Sequence, residues 1–184
     1  MLTVTPLSIP DVCELTPRKF GDNRGFFAET FNQQRLIDAG LPGEWIQDNQ
    51  SLSREKFTLR GLHYQESPFA QAKLVRVLRG SIFDVAVDIR KGSPTFGKWA
   101  SLVLSADTFN QILVPEGFAH GFLTLEEDTE VFYKVTAPYS PQHDRNIRWD
   151  DPQIAVEWPI DGQAPHLSDK DKVAPLLSDI ALVF

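Results

Sequence analysis

The chain has 184 residues, a formal net charge of −7, and 42% hydrophobic and 23% charged residues. That length suits one domain spanning 1–184 with a sizeable core, and the composition argues against disorder. The acidic balance excludes general affinity for nucleic acid, which needs clustered Lys and Arg, but still allows a few inward cations to hold an anionic small ligand.

At the N-terminus, "MLTVTPLSIP" has no Lys or Arg before its apolar residues and no long apolar core, so no signal peptide is expected. Cys13 is the single cysteine, which rules out an intrachain disulfide and a multi-cysteine zinc site. "RGFFAETF" (24–31) reads as a strand, and "NQQRLIDAG" (32–40) as a helix with Asn32 as N-cap and Gly40 as its stop. "FTLRGLHYQ" (57–65) and "KLVRVL" (73–78) are strands, the latter closed by the turn residues Arg79-Gly80.

"SIFDVAVDIR" (81–90) alternates with period two. Phe83, Val85, Val87 and Ile89 fall on one face and Asp84, Ala86, Asp88 and Arg90 on the other, the pattern of a half-buried strand. "WASLVLS" (99–105) follows the turn Lys91-Gly92-Ser93-Pro94. Further strands are expected at "QILVP" (111–115), "HGFLTLE" (120–126), "EVFYKVT" (130–136) and "IAVEWP" (154–159). A second helix is expected in "DKDKVAPLLSDI" (169–180). No run approaches ~18 apolar residues, so no membrane span is expected. The working class is a cytoplasmic enzyme or binding protein.

Many short strands with Gly/Pro turns, and helices only at the margins, predict a mainly β fold. A cupin-type jelly-roll barrel with short flanking helices fits the length and spacing. Such barrels enclose a cavity lined by inward side chains, so polar residues on inward faces matter most. Lys73 alternates with Val75 and Val77, Tyr133 with Val131 and Val135. His63 shares a face with Gly61 and Gln65, and His120 lies between Phe118 and Phe122. A lone buried His is commonly a satisfied core residue. A buried Lys is costly unless it has a partner or a task.

"PEGFAH" resembles the second metal-binding motif of cupins, with His120 at the ligand place. The first motif would need His-x-His and a downstream Glu, where this chain has His63-x-Gln65 and Lys73. A protonated lysine repels a divalent cation and has no lone pair to offer it. Two histidines alone make a poor site, so no metal is expected.

"FGDNRGFFAETF", "QDNQSLS", "LRGLHYQ", "KLVRVLRG", "DVAVDIRKGSPTFG", "PEGFAHGF", "YKVTAPYSP", "WDDP" and "LSDKD" occur in that order. Together they resemble the dTDP-4-dehydrorhamnose 3,5-epimerase family over almost the whole chain. The resemblance implies a cofactor-free cupin barrel, usually a homodimer, acting on dTDP-4-dehydro-6-deoxy-D-glucose. The C4 ketone acidifies C3–H and C5–H, so each centre can be inverted by removing a proton from one face and returning one to the other.

In this resemblance His63 is the base, since an imidazole ordinarily titrates near ~6.5 and can accept a proton at neutral pH. A carboxylate would fix its tautomer, Asp171 by family position, with Asp169 the competing candidate. Tyr133 is the acid on the opposite face, and Lys73 steadies the enolate oxygen in place of a metal. Arg24 and Arg60 are implied at the diphosphate or sugar, Glu29, Gln47 and Asn49 at the nucleotide or sugar, and Tyr139 on the thymine. His120, Asp144 and Lys170 complete the set, and Arg24 and Glu29 are implied to come from the partner subunit. Asp144 stands where many members have Glu, and Asn146 where Gly is common. Three other readings stay open: a monofunctional 3- or 5-epimerase, a metal-dependent cupin, and a non-catalytic sugar-nucleotide binding module.

Overall fold

The computed structural model describes residues 2–181 and 184. Its strands, in chain order, are β1 (Leu2–Pro6), β2 (Cys13–Pro17), β3 (Lys19–Asp22), β4 (Gly25–Ala28), β5 (Gln47–Ser53), β6 (Leu59–Gln65) and β7 (Lys73–Arg79). There follow β8 (Ser81–Asp88), β9 (Trp99–Ser105), β10 (Gln111–Val114), β11 (Phe118–Thr124), β12 (Thr129–Val135) and β13 (Asp144–Asn146). Two short helices flank them, α1 (Gln33–Asp38) and α2 (Asp169–Lys172).

Two sheets face each other. One has the order β1-β2-β10-β7-β12-β5 and the other β13-β6-β11-β8-β9. Every pairing in both is antiparallel. The inward positions of β7, β10 and β12 (Val75, Val77, Ile112, Val114, Val131) pack against Ile82, Ala86, Ala100, Leu104, Phe118 and Phe122 from the opposite sheet. Each such Val, Leu, Ile or Phe contributes roughly 1.5–3 kcal/mol when fully buried. The result is the mainly β, cupin-type jelly roll expected from the sequence.

β8 departs from its half-buried reading. Its Asp84/Ala86 face points into the barrel, with Ala86 in the inner core. Val85, Val87 and Ile89 are buried on the outside, under Ile147, Ile154, Trp158 and Leu177 of the C-terminal segment. Asp84 and Asp88 are both fully buried. A strand covered on both faces carries no solvent-facing row, and here the polar positions hold internal hydrogen bonds instead.

The same C-terminal cover explains another correction. Residues 154–159 form no strand: Ala155, Trp158 and Ile160 donate their N–H groups to nearby carbonyls of Asp151, Val156 and Trp158. Ile154 and Trp158 are an irregular strap over the five-stranded sheet. The helix expected over 169–180 is only α2 and a 3-10 turn at Leu177–Asp179. Pro175 lies between them and cannot continue a helix.

Residues 24–31 are strand only over β4, which pairs with β3 of the same chain in a hairpin carrying exposed Phe20, Phe26 and Phe27. α1 matches its sequence signals. Asn32 Oδ1 accepts from the Arg35 N–H, and Gly40 at φ +73° lets Leu41 N–H reach back to the Leu36 carbonyl. Its buried Leu36 covers Leu15, Leu74 and Leu113 on the outer face of the six-stranded sheet. No helix among the described residues is long and apolar enough to cross a membrane.

Candidate active site

β6 and β11 cross at two glycines. A Cβ on Gly61 would sit 2.5 Å from the Gly121 Cα, and one on Gly121 would sit 2.9 Å from the Arg60 carbonyl oxygen. Gly61 also has φ +142°, which side-chain-bearing residues rarely adopt. This close approach and the register shift beside it bring His63 opposite His120. Both imidazoles line a cavity of about 500 Å³ together with Arg60, Lys73, Tyr133 and Asp171. A second cavity of about 190 Å³ is lined by Gln47, Asn49, Tyr139, Asp144 and Lys170. His63, Lys73 and Tyr133 line both, so the two chambers meet at these three side chains.

His63 Nε2 lies 2.6 Å from Asp171 Oδ1. Asp171 is 2% exposed, and its other oxygen accepts from the Ser168 hydroxyl at 2.8 Å. Ser168 is the N-cap of α2 and in turn accepts from the Asp171 N–H. Burial works to raise the Asp171 pKa, but the His63 hydrogen bond and charge, Ser168 and Lys170 together hold it below the usual carboxylate value. Asp169 is exposed and pairs with Lys172.

Lys73 enters from β7 on the facing sheet and donates to the His63 carbonyl at 3.4 Å. Burial pulls its pKa down to about 8, against the opposing fields of Asp84 and Asp144 and with a further push from Lys170. Tyr133, from β12 of the same sheet, has its phenol pushed up by burial, with Asp144 adding and Arg60 opposing. His120 is 7% exposed, and its Nε2 lies 2.9 Å from both oxygens of Asp84. Burial holds this imidazole below its ordinary value despite Asp84, with Lys73 and His63 reinforcing the effect.

Around the smaller cavity, Gln47 Oε1 accepts from the Tyr139 N–H at 3.0 Å, and Gln47 donates to Asn49 at 2.9 Å. Asp144 Oδ2 pairs with Lys170 and accepts from the Tyr139 hydroxyl. Asn146 donates to the Lys170 carbonyl, so it fastens the segment that carries Lys170. Arg60 donates to Ser53 and the Leu52 carbonyl.

Gln65 is no ligand substitute. It clamps two loops, donating to the Phe69 and Pro138 carbonyls and accepting from the Ser140 N–H at 2.7 Å. Among the described residues no group of three or more His, Cys, Asp or Glu could hold a metal ion.

Two expected residues lie elsewhere in this chain. Arg24 is on the β3–β4 hairpin, bonded to Asp22 and largely exposed. Glu29 pairs with Arg35 at 3.0 Å. Conversely, the structure adds Ser168 and His166 to the wall of the larger cavity and sets Asp84 behind His120, none of which was singled out from the sequence.

A jelly roll whose interior cavity is lined by His63, His120, Tyr133 and Lys73 is a cupin-type enzyme barrel. The chain belongs to the dTDP-4-dehydrorhamnose 3,5-epimerase family, whose profile matches residues 6–179. A dTDP-4-dehydrorhamnose 3,5-epimerase from Sinorhizobium fredii is 52% identical over 182 residues, covering 97% of this chain and 91% of its own. Among solved structures, the Bacillus anthracis dTDP-4-dehydrorhamnose 3,5-epimerase with TDP and PPi bound has a TM-score of 0.92 at 48% identity, covering 96% of this chain and 99% of its own. The Legionella pneumophila dTDP-6-deoxy-D-glucose-3,5-epimerase, in complex with dTDP-4-keto-L-rhamnose, has a TM-score of 0.94 at 44% identity, covering 98% and 95%.

Proposed function

We propose that this chain is an isomerase that converts dTDP-4-dehydro-6-deoxy-D-glucose to dTDP-4-dehydro-L-rhamnose by inverting C3 and C5. One observation carries the reading. A base paired with a carboxylate on one sheet and a phenol and an ammonium on the other meet where two cavities join. A sugar placed at that junction is flanked by His63 and Tyr133 from opposing sheets, and its nucleotide extends toward Tyr139, Asn49 and Lys170.

In the proposed steps His63 donates Nε2–H to Asp171, which leaves the Nδ1 lone pair to take the proton from C3. The C–H electrons move into a C3=C4 double bond, and the carbonyl oxygen becomes an enolate beside the Lys73 ammonium. Charge that grows in a partly dry cavity is where a fixed donor contributes most. The Tyr133 hydroxyl then returns a proton to the other face of C3, and the same steps at C5, before or after those at C3, complete the double inversion. Solvent restores the proton to Tyr133 and removes one from His63, so the net reaction is an isomerisation.

A homodimer in which Arg24 and Glu29 complete the partner's site is part of the same proposal. Neither residue lines either of the two cavities that meet at His63, Lys73 and Tyr133, and the exposed Phe20, Phe26 and Phe27 lie beside them on the hairpin. On the outer face of β7, the Arg76 guanidinium has two buried nitrogens, Nε and Nη1, with no hydrogen-bond partner among the described residues. Phe26 and Phe109 border the same depression. A second copy covering this face would supply the missing acceptors. A nucleotide-sugar substrate and a lone buried Cys13 fit a single-domain cytoplasmic enzyme.

Borohydride reduction of the equilibrated product tests the activity. Inversion at both carbons gives rhamnose and 6-deoxytalose, whereas inversion at C3 alone gives 6-deoxyallose and 6-deoxygulose and would make the chain a monofunctional epimerase.

A further inference from the structure

The proposed reaction makes no use of Asp84, although it is fully buried inside the barrel. Asp88, four residues on, is equally buried but fully satisfied, by Arg90, Ser93 and Thr95. Asp84 has only the His120 Nε2 among the described residues, shared by both of its oxygens. A buried carboxylate facing one imidazole is costly unless a positive charge lies near.

The charged and titratable groups around Lys73 come from every neighbouring element. They are Tyr133 on β12, His63 and Arg60 on β6, His120 on β11, Asp84 on β8, Asp144 on β13, and Lys170 and Asp171 on α2. Of the three carboxylates, Asp171 is committed to His63 and Ser168, and Asp144 to Lys170. Asp84 pairs with no lysine or arginine, and the Lys73 ammonium lies within 4 Å of no carboxylate among the described residues. The buried anion and the half-buried cation thus each lack another counter-charge, and His120, bonded to Asp84, lines the same cavity as Lys73.

We propose that Asp84, acting through His120, is a positioning residue whose buried charge keeps Lys73 an ammonium aimed at the enolate oxygen, and so sets the upper pH limit of turnover. This rests on the reading of Lys73 as the electrophile. Field effects of this kind act through low-dielectric interiors without direct contact, and Asp84 is the foremost charge opposing burial at Lys73.

The test is Asp84→Asn, studied by NMR of lysine labelled at Cε, with the Lys73 signal assigned by its loss in Lys73→Met. The Lys73 midpoint is expected to fall by about one pH unit or more, a tenfold loss of proton affinity. The alkaline limb of kcat should fall with it, leaving activity within a few-fold of wild type at pH 6 and about tenfold lower at pH 8.5. Asp84→Glu, which keeps the charge, should restore the limb. Asp84→Ser makes the same test if the Asn variant does not fold. An unmoved Lys73 midpoint in a folded neutral variant, or an equal loss of rate at every pH, would overturn the proposal. Full turnover by Lys73→Met would instead remove the electrophile reading, while the NMR midpoint still reports whether Asp84 governs Lys73.

Discussion

Replacing Lys73 with Met separates what the lysine does for folding from what it does for catalysis. Burial lowers its pKa from 10.5 to about 8. That difference corresponds to about 3 kcal/mol of stability forgone at neutral pH to keep an ammonium in the cavity. Between pH 8 and 10.5 the unfolded chain binds more protons at this group than the folded one, so its contribution to stability rises with pH across that window. Below pH 8 both states are protonated and the whole cost applies. Lys73→Met should therefore be more stable than wild type at pH 7 by up to about 3 kcal/mol, and this advantage should vanish as pH approaches 10.5. The same change should lower kcat by about 10²–10³, the usual loss for one donor at a developing oxyanion. Urea denaturation at pH 7 and pH 10, beside steady-state rates, reads both effects. A variant that is destabilised at pH 7 and still turns over normally would refute the reasoning.

Asp171→Asn keeps the shape but removes the charge that holds the His63 tautomer; kcat should fall by about 10²–10⁴ while calorimetry shows dTDP binding retained. Gln65→Ala releases the clamp on the Phe69, Pro138 and Ser140 backbone beside Tyr139, so KM for the nucleotide sugar should rise more than kcat falls. Asp88→Asn breaks a buried network with Arg90, Ser93 and Thr95 and should cost about 3–5 kcal/mol, read as a lowered Tm. Although burial opposes it, the hydrogen bonds from Arg90, Ser93 and Thr95 hold the Asp88 pKa well below the usual carboxylate range. Its contribution is therefore present above the unfolded pKa of ~3.9 and lost as pH falls below it. The Asn variant should accordingly show a shallower acid-induced loss of stability.

Strands with a clean alternation, such as 73–78 and 130–136, were legible because apolar residues alone fill their inward positions apart from Lys73 and Tyr133. β5 was not read as a strand, because "QDNQSLS" turns Asn49 and Ser51 toward the cavities and sets Asp48 and Gln50 in bonds to Lys134 and Glu130. It therefore lacks an apolar row on either face. β1 and β2 hide for a similar reason, each five residues long and interrupted by Pro or Thr. Residues 154–159 misled in the opposite direction, since apolar residues at alternate positions also suit a strap that covers a sheet without pairing to it.

In the site, Lys73, Tyr133 and His120 stood out because titratable groups shared inward faces with valines and phenylalanines, whereas His63, between Gly61 and Gln65, stood out through the motif resemblance. Asp84 was hidden by the assumption that the polar face of β8 meets water. For Asp171 against Asp169 a usable signal was present: Ser168-x-x-Asp171 is an N-cap spacing, which turns the third helical residue back toward the cap. The proposed use of Arg24 and Glu29 by a second copy would depend on a surface rather than on a local pattern, and no spacing within one chain encodes it.

The most direct test of the central claim is proton NMR of dTDP-4-dehydro-6-deoxyglucose incubated with the protein in heavy water. The account predicts that the wild-type protein removes the C3 and C5 proton signals from substrate and product alike, with His63→Asn abolishing exchange at each carbon. Turnover with both protons retained would contradict the enolate route, and exchange that persists in His63→Asn would contradict the assignment of the base.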